Sequence, residues 1–507
     1  MNRNLLFYKL IQCGWCGRII DLMRSLYNQT RFRVRSNGLL SESILEDLGV
    51  NQGGSGSGIL FRKFLADLGE YLDTHFGIRI SKEMLAHILW ADDLVLVAES
   101  VPDLQKLIDG LFNFCKSNLM VVNEIKTKVM VVGCKDIPDL FFNGIRIDVV
   151  SQYKYLGNIL NPSTSPFGNI FEHNLEHLLA QSHKAIFAMR SKLKVASPTP
   201  PRISLFLFDC LIKQITLYGS DIWGIYKPMR DSADIFQLKF LKQLLGVKMS
   251  TCNVMVYGEF GQIPLSCDLL CNSFIYYHRL LNMPSGSLVK YVFDEMIQLN
   301  AVGYSSWVTK VEEMALLYNI DFESHDSNLK FKKACRKAVT QNFLTSWKSD
   351  LLDFRKFPIL RNYNYFKTEF SFENYLDCVK IRKHAIALAR FRCSSHHLAI
   401  ETGRWNDTIE NFRICHVCKV LDDEVHFVCS CTTNEAQRLI LRSKLQDYLG
   451  NEFETFNDNF FNRLMMSTDT NIIVPFSNFI FSSFKGRINV VCVNVCVCVW
   501  CVCMCVY

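Results

Sequence analysis

The sequence predicts an α+β fold in which helices and antiparallel hairpins come first, followed by a longer helical part and a small metal-binding module. Three observations predict this order. Short apolar segments separated by turn residues lie within residues 1–160. Helical periodicity dominates from Arg202 to Ala399. Cys and His residues with the spacing of metal ligands follow between Cys415 and Cys431.

The composition excludes several classes of protein. The chain has 507 residues, 49% of them hydrophobic, so it is long enough for several buried cores and is not largely disordered. With 25 Gly and 12 Pro it is not fibrous. The formal net charge of +7 permits a nucleic-acid partner without demonstrating one. The N-terminus has no apolar signal-peptide core, so we expect an intracellular protein of the nucleus or cytoplasm that is not secreted.

The cysteines are unevenly spread. Six of the 21 lie between Cys492 and Cys505, and the rest of the chain has the sparse thiols of a reducing compartment. From Ile488 to Tyr507 the chain alternates Val and Cys without charge, as a translated G/T repeat would. The alternative is a membrane anchor preceded by Lys485 and Arg487. We favour the repeat and expect no membrane association.

The first elements are helical and then extended. Residues 1–30 have an amphipathic helical pattern. The run from Arg31 to Arg35 alternates with period two, which predicts one strand with Arg31, Arg33 and Arg35 on one face. That face is either a solvated edge or a basic surface for a nucleic-acid backbone. Ser36-Asn37-Gly38 predicts a turn.

An acidic hairpin follows a glycine-rich stretch and a helix. The glycine-rich stretch covers residues 49–58 and the helix 59–72. The apolar segments 85–90 and 94–98 flank Ala91-Asp92-Asp93, which predicts a hairpin with two carboxylates at its turn. Adjacent carboxylates repel each other, so they are either exposed or neutralised by a divalent cation such as Mg²⁺. Spacing alone leaves both alternatives open.

The remaining elements are assigned from periodicity and from proline. We expect a helix over 102–120, a strand over 129–132, a loop over 161–169 and a helix over 172–193. The proline-rich segment 197–201 predicts a break or linker.

Five ordered segments between Gly49 and Gly224 resemble motifs of the reverse transcriptase of non-LTR (LINE-type) retrotransposons. Asn51 and Gly58 stand where the family has prolines, and Trp90 replaces its usual Phe or Tyr. The matching segments are Gly49-Val50-Asn51-Gln52-Gly53, Trp90-Ala91-Asp92-Asp93, Asn123-Glu124-Ile125-Lys126-Thr127-Lys128, Tyr153-Lys154-Tyr155-Leu156-Gly157 and Tyr218-Gly219-Ser220-Asp221-Ile222-Trp223-Gly224.

The resemblance implies a partial right-hand polymerase palm that binds an RNA template, a DNA primer and a dNTP. It implies that Asp92 and Asp93 hold Mg²⁺ and that Lys126 assists the departing pyrophosphate. The residues it assigns to template, nucleotide or primer are Gly49, Gln52, Gly53, Tyr155 and Gly157.

The resemblance also implies that one catalytic carboxylate is missing. The family's further Asp precedes the segment that Asn2–Leu10 resembles, and we find no substitute for it. We therefore expect an N-terminally truncated or partial copy that does not polymerise alone.

A second metal site is expected near the C-terminus. Cys415, Cys418, His426 and Cys431 have the ligand types and spacing of a tetrahedral Zn²⁺ site, with Cys429 as a rival fourth ligand. The resemblance supports this site, because the family carries such a cluster after a Gly-Arg dipeptide like Gly403-Arg404.

Basic and aromatic residues recur before this cluster. They form either a nucleic-acid groove or a solvated helical face. With the zinc site, they support an alternative function as a non-enzymatic nucleic-acid-binding protein. The residues are Lys330, Lys332, Lys333, Arg336, Lys337, Trp347, Lys348, Phe354, Arg355 and Lys356.

These features predict six regions, and the oligomeric state is left open. They are a partial palm (1–160), a thumb and connection (161–260), a helical region (261–400), a zinc module (401–440), a helical segment (441–487) and the Val/Cys tail (488–507).

Overall fold

The computed structural model describes residues 1–51, 53–133, 138–162, 170–193, 199–323, 327–353, 355–449 and 457–495, with the backbone alone for 447, 449 and 488–495. The chain divides into two units. The first unit comprises residues 1–172 and 283–308, and the second comprises residues 173–282 and 309–507.

The first unit combines helices with short strand pairs. Its helices are α1 (Arg3–Gln12), α2 (Gly17–Tyr27), α3 (Ser57–Phe64), α4 (Leu68–Tyr71), α5 (Val101–Ser117) and α13 (Leu288–Ala301), with a 3₁₀ turn at Thr74–Phe76. Its strands are β1 (Arg31–Phe32), β2 (Arg35–Ser36), β3 (Leu39–Leu40), β4 (Ile44–Leu45), β5 (Ile78–Ile80), β6 (Glu83–Leu85), β7 (His87–Trp90), β8 (Asp93–Leu96), β9 (Lys128–Val129), β10 (Phe141–Phe142), β11 (Ile145–Arg146), β12 (Asp148–Val149), β13 (Tyr153–Tyr155) and β14 (Asn158–Leu160).

These strands pair two by two. Six pairs among the described residues are antiparallel, as the hairpin pattern predicts. The exception is β9, which pairs with β12 in parallel. The mixture of helix and strand agrees with the predicted α+β class.

The single strand expected over residues 31–35 is wrong. A two-residue turn at Asn37-Gly38, both with positive φ, pairs Arg35 with Leu40. Arg31 instead pairs with Leu45 in another sheet. The backbone between these strands is held by Ser41, whose N–H donates to the Val34 carbonyl at 2.9 Å. Arg31, Arg33 and Arg35 are exposed but do not share one strand face.

The helices of the first unit bury two apolar clusters. The larger joins α1, α3, α4 and α5 through side chains such as Leu6, Phe64, Leu107 and Phe114. The smaller packs Ile108, on another face of α5, against Val129, Leu140, Phe142 and Ile147. The helix α5 contributes apolar side chains to both clusters. It corresponds to the amphipathic helix that the sequence predicts over 102–120.

The second unit is helical, as the periodicity predicts. Its helices are α6 (Asn174–Leu193), α7 (Pro201–Leu207), α8 (Lys213–Thr216), α9 (Ser220–Trp223), α10 (Lys227–Leu245), α11 (Asn253–Phe260), α12 (Leu265–Leu281), α14 (Trp307–Leu317, from Thr309 on), α15 (Asn328–Leu352), α16 (Tyr363–Phe366), α17 (Tyr375–Cys378), α18 (Arg382–Arg392), α19 (Ala399–Trp405), α20 (Glu424–Cys429), α21 (Glu435–Leu449), α22 (Asp458–Met466) and α23 (Thr470–Val495). A π-helical turn joins α7 to α8 at Phe208–Ile212, and 3₁₀ turns lie at Pro358–Leu360, Glu410–Phe412 and Thr432–Asn434.

The core of the second unit contains buried charges that are paired. The guanidinium of Arg392 donates to Glu259, which is fully buried, at 3.0–3.2 Å, and to Glu373 at 2.8 Å. Lys367 forms a further ion pair with Glu373. A buried charge is tolerated when it is paired and hydrogen-bonded, so this network fixes how α11, α16 and α18 pack.

Several expectations lie outside the described residues. They concern Gln52, Phe354, most of the predicted loop 161–169, most of the proline-rich segment 197–201 and residues 496–507 of the tail. The six predicted regions stay a prediction, and the two units do not follow their boundaries. Within the described residues, no helix is both long and apolar enough to cross a membrane.

Candidate metal centres

The acidic hairpin consists of β7, a tight turn and β8. Trp90 pairs with Asp93, so the turn residues are Ala91 and Asp92, and Asp93 is the first residue of β8. Ala91 has a φ of +53°, a left-handed conformation that costs a residue with a Cβ about 1–2 kcal/mol. The carboxylates of Asp92 and Asp93 are both exposed at the tip. The structure therefore presents both side chains to solvent, where a hydrated cation can reach them.

A second hairpin lies beside the acidic tip. β13 and β14 are joined at Leu156-Gly157, both with positive φ, and Tyr155 pairs with Asn158. Burial raises the pKa of Tyr155, and the negative charge of Asp93 raises it further. The Tyr-Leu-Gly segment and the Asp-Asp segment, separate in sequence, are thus electrostatic neighbours.

The loop that carries Lys126 contacts the second hairpin. The N–H of Lys126 donates to both the backbone and the side-chain oxygen of Asn123 at 3.1 Å, which forms a compact turn. The hydroxyl of Tyr153 donates to the Lys126 carbonyl at 3.4 Å. The Lys126 side chain is exposed. Three of the sequence-predicted motifs therefore lie in one neighbourhood of the first unit.

The glycine-rich loop is held by a buried arginine that the motifs did not predict. The guanidinium of Arg3 donates to the carbonyls of Gly49 and Tyr27 at 2.9 Å and forms an ion pair with Glu46 at 3.2 Å. Gly49 and Gly53 have φ values near +80°, which favour glycine at both positions. The only sequence signal for Arg3 is its place on an otherwise apolar face of α1.

Metal ligands around the acidic tip are few. Among the residues with described positions, no His, Cys, Asp or Glu completes a group of three ligands with Asp92 and Asp93. Two carboxylates agree with the way Mg²⁺ is commonly held, by one or two side chains together with waters and substrate phosphates.

The Cys/His cluster is assembled from a turn and a short helix. Cys415 and Cys418 lie in a tight turn in which the Cys415 N–H donates to the Val420 carbonyl at 2.7 Å. His426 lies in α20, whose N-cap Asp423 accepts a hydrogen bond from the His426 N–H at 2.8 Å. Cys431 follows α20, and its N–H donates to the His426 carbonyl at 2.8 Å.

The four candidate ligand atoms converge. One atom from each of Cys415, Cys418, His426 and Cys431 lies within 4.8 Å of the other three. Ligand atoms of a tetrahedral zinc centre with Zn–S bonds of about 2.3 Å are about 3.8 Å apart, so the cluster has nearly the right size. Cys429 is not part of the group, because its thiol points to the Asn457 carbonyl at 3.5 Å.

The surroundings shift the pKa values of three of these ligands, and not all in the same direction. Burial raises the pKa of Cys415. Burial would also raise the pKa of Cys418, but hydrogen bonds from Thr432 lower it overall. Burial lowers the pKa of His426, which favours the neutral imidazole that binds metals.

One ring nitrogen of His426 is left for a ligand bond. The hydroxyl of Ser430 lies 3.0 Å from Nδ1. The other nitrogen, Nε2, is buried and has no hydrogen-bond partner in the described structure. An orphaned imidazole nitrogen beside three thiols fits Zn²⁺, for which imidazole and thiolate are the preferred ligands.

A buried ion network supports the helix that carries His426. Glu424 accepts two hydrogen bonds from Arg361 at 2.7 and 2.9 Å and one from Asn362 at 2.9 Å. The Nε2 atom of His396 lies 2.9 Å from the same carboxylate. Glu424, which lies between Cys418 and His426 in the sequence, is therefore buried and ion-paired.

Comparison with known proteins gives one family match and two related proteins. Residues 6–160 match the family described as reverse transcriptase (RNA-dependent DNA polymerase). An uncharacterized transposon-derived protein of Caenorhabditis elegans is 25% identical over 179 residues, which cover 34% of this chain and 61% of that protein. The RNA-directed DNA polymerase from mobile element jockey of Drosophila funebris is 21% identical over 240 residues, which cover 45% of this chain and 25% of that protein.

Proposed function

We propose that this chain, whose residues 6–160 carry reverse transcriptase sequence, is part of the reverse transcriptase of a non-LTR retrotransposon and takes part in RNA-directed DNA synthesis. The resemblance and the comparisons point to the same polymerase class. The chain spans less than two thirds of each relative, so its activity, template and primer belong to the proposal.

One observation carries the proposal. The Asp92–Asp93 tip, the Tyr155 hairpin and the Lys126 loop are distant in sequence but adjacent in the first unit. A polymerase needs carboxylates, a primer-holding hairpin and a cation for pyrophosphate close together. An ordinary hairpin turn would not require the other two motifs beside it.

The roles follow from this arrangement. Mg²⁺ supplies the positive charge that activates the primer hydroxyl and neutralises the leaving pyrophosphate. Asp92 and Asp93 would hold it, and Lys126 would stabilise the pyrophosphate. Template, nucleotide and primer would be positioned by Gly49, Gln52, Gly53, Tyr155 and Gly157, with Arg31, Arg33 and Arg35 as separate backbone contacts.

Mn²⁺ binding tests the acidic tip directly. Mn²⁺ is a spectroscopic substitute for Mg²⁺, and we expect Asp92→Asn to weaken its binding about tenfold or more, since one of two carboxylates is lost. Glu83→Gln is the matched control, because Glu83 is an exposed carboxylate on β6, the strand that precedes β7 in the sequence. Equal Mn²⁺ affinity in Asp92→Asn and wild type would count against the proposal.

Primer extension on an RNA template tests the activity. Extension that disappears in Asp92→Ala and persists in Glu83→Gln would support the polymerase assignment. Extension that is equal in Asp92→Ala and wild type would contradict the role of the acidic tip.

The Cys3His cluster is proposed to hold one Zn²⁺. Three thiolates and one imidazole nitrogen are a complete tetrahedral set, which is typical of a structural site without an open catalytic position. Metal analysis should find one zinc per folded chain. The location of the protein in the nucleus or cytoplasm is a separate prediction.

A second candidate function is nucleic-acid binding without synthesis. It is favoured by α15, on which Lys330, Lys332, Lys333, Arg336 and Lys337 are all exposed. The aromatic Trp347 on the same helix is buried and donates to the Val254 carbonyl, so it is not available for base stacking. This candidate predicts RNA binding that does not depend on Asp92.

A further inference from the structure

We infer that Arg487 is a positioning residue of the Cys3His centre, through which zinc binding and the docking of α23 stabilise each other. The inference rests on the zinc site proposed above. Arg487 lies far beyond the ligands in sequence, and neither the family motifs nor the spacing of Cys and His points to it.

The contacts of Arg487 converge on the cluster. Its Nη2 donates to the Cys431 thiol sulfur at 2.9 Å and lies 3.9 Å from the Cys415 sulfur. Its Nη1 donates to both carboxylate oxygens of Asp422 at 2.9 and 3.2 Å. One guanidinium thus faces two of the four ligands and is held in place by a carboxylate from the same module.

The net charge of the zinc-bound cluster explains why a guanidinium would stabilise it. Zn²⁺ with three thiolates and a neutral imidazole carries a net charge of −1. Cys431 is fully buried and Cys415 nearly so, and an uncompensated buried charge is costly. An arginine guanidinium stays protonated and donates several hydrogen bonds, so Arg487 can stabilise both thiolates at once.

Other groups near the cluster contribute less to the sulfur atoms. Asp422 adds a negative charge but also orients the guanidinium of Arg487. Arg438, which is buried, donates to the carbonyls of Val428 and Cys431. Arg438 therefore supports the backbone of the turn, whereas Arg487 is directed at the sulfur atoms.

Aromatic side chains also join α23 to the metal-binding module. The guanidinium of Arg487 lies 4.9 Å from the ring centre of Phe427, the residue after His426. The Phe427 ring stacks on Phe484 of α23 with centroids 4.5 Å apart. The Phe484 ring and the Arg487 guanidinium lie on one face of α23. This face packs against Phe427, and its guanidinium contacts the cluster.

Linkage makes the effect reciprocal. If Arg487 favours the metal-bound cluster, bound metal must favour the docked helix by the same free energy. Second-sphere hydrogen bonds of this kind typically change metal affinity by about 10- to 100-fold.

Zinc affinity of the full chain tests the inference. Arg487→Met should weaken Zn²⁺ binding about 10- to 100-fold in competition with a chromogenic chelator. Arg487→Lys, which keeps the charge but loses the planar fork, should fall between Arg487→Met and wild type. Lys485→Met is the control, since Lys485 is an exposed cation on the same helix.

The possible results are distinguishable. Failure of the wild-type chain to bind Zn²⁺ overturns the zinc site itself. Zinc binding that is equal in wild type, Arg487→Met and Lys485→Met overturns only the role of Arg487. The Co²⁺-substituted proteins should show thiolate-to-metal absorption in every variant that binds, which separates weakened binding from a changed ligand set.

Proteolysis tests the reverse direction. Removing zinc from wild type should accelerate tryptic cleavage after Lys485, because sulfur atoms that take up protons no longer offer Arg487 a charged hydrogen-bond partner. In Arg487→Met the cleavage rate should no longer depend on zinc. An unchanged wild-type cleavage rate after chelation would overturn the coupling.

Discussion

The identity of the fourth zinc ligand gives the sharpest prediction. Cys429 and Cys431 are two residues apart, so the spacing in the sequence allows either as the fourth ligand. The structure directs the Cys431 thiol to the cluster and the Cys429 thiol to Asn457. Cys431→Ser should therefore abolish tight zinc binding, and Cys429→Ser should preserve it.

The magnitude follows from the ligand set. Structural zinc binding is worth about 10–16 kcal/mol at neutral pH, so one of four ligands accounts for roughly 2.5–4 kcal/mol, or on the order of a hundred-fold or more in affinity. Cys429→Ser loses at most a weak thiol hydrogen bond, about 1 kcal/mol of stability. Burial raises the pKa of the Cys429 thiol to about 12, in keeping with a neutral thiol that donates to the Asn457 carbonyl.

Competition with a chromogenic chelator measures both variants under the same conditions. The two substitutions are chemically identical, so their difference reports position alone. Circular dichroism should show that each variant keeps its helices before the affinities are compared. The reasoning is refuted if Cys429→Ser loses zinc while Cys431→Ser retains it, or if both bind as wild type does.

Two further predictions concern buried and exposed charge. Burial raises the pKa of Asp234 to about 6. Because this pKa lies above the ordinary value of about 4, stability is lost as pH rises from about 4 to 6, by at most about 3 kcal/mol. Asp234→Asn should remove that dependence in thermal unfolding at pH 4 and pH 7, and an unchanged pH profile would contradict the assignment. On α15, Lys332→Gln with Lys333→Gln should lower the salt slope of RNA binding by about 1.4 if both contact phosphates. Lys227→Gln with Lys239→Gln is the control pair, and equal slopes would identify the α15 surface as a solvated face.

Local chemistry made much of the fold predictable. Asn37-Gly38 forms the expected turn because both residues tolerate positive φ, and α5 forms where a 3.6-residue apolar period begins after a Ser N-cap. The acidic hairpin was also predictable, since its two apolar strands and its turn are contiguous. In each case the interactions that decide the structure lie within a few residues of each other.

Prediction failed where a distant partner decided the outcome. The alternation from Arg31 to Arg35 predicts one strand, but Leu40 and Leu45 each recruit part of it into a different sheet. The place of Arg3 on an apolar face of α1 does not reveal its partners, because the carbonyls it binds come from Tyr27 and Gly49. Periodicity records which face is apolar, and it does not record which segment arrives to pair with it.

The metal centre shows the same division. The sequence by itself determined the Cys and His ligand types, their spacing and the resemblance of the acidic hairpin to a polymerase motif. Only the tertiary structure placed Cys431, and not Cys429, beside His426, because the chain direction after α20 sets which thiol faces the imidazole. Only it brought Arg487 to the sulfur atoms, because a contact across 56 residues depends on how α23 packs and leaves no periodic trace in the sequence.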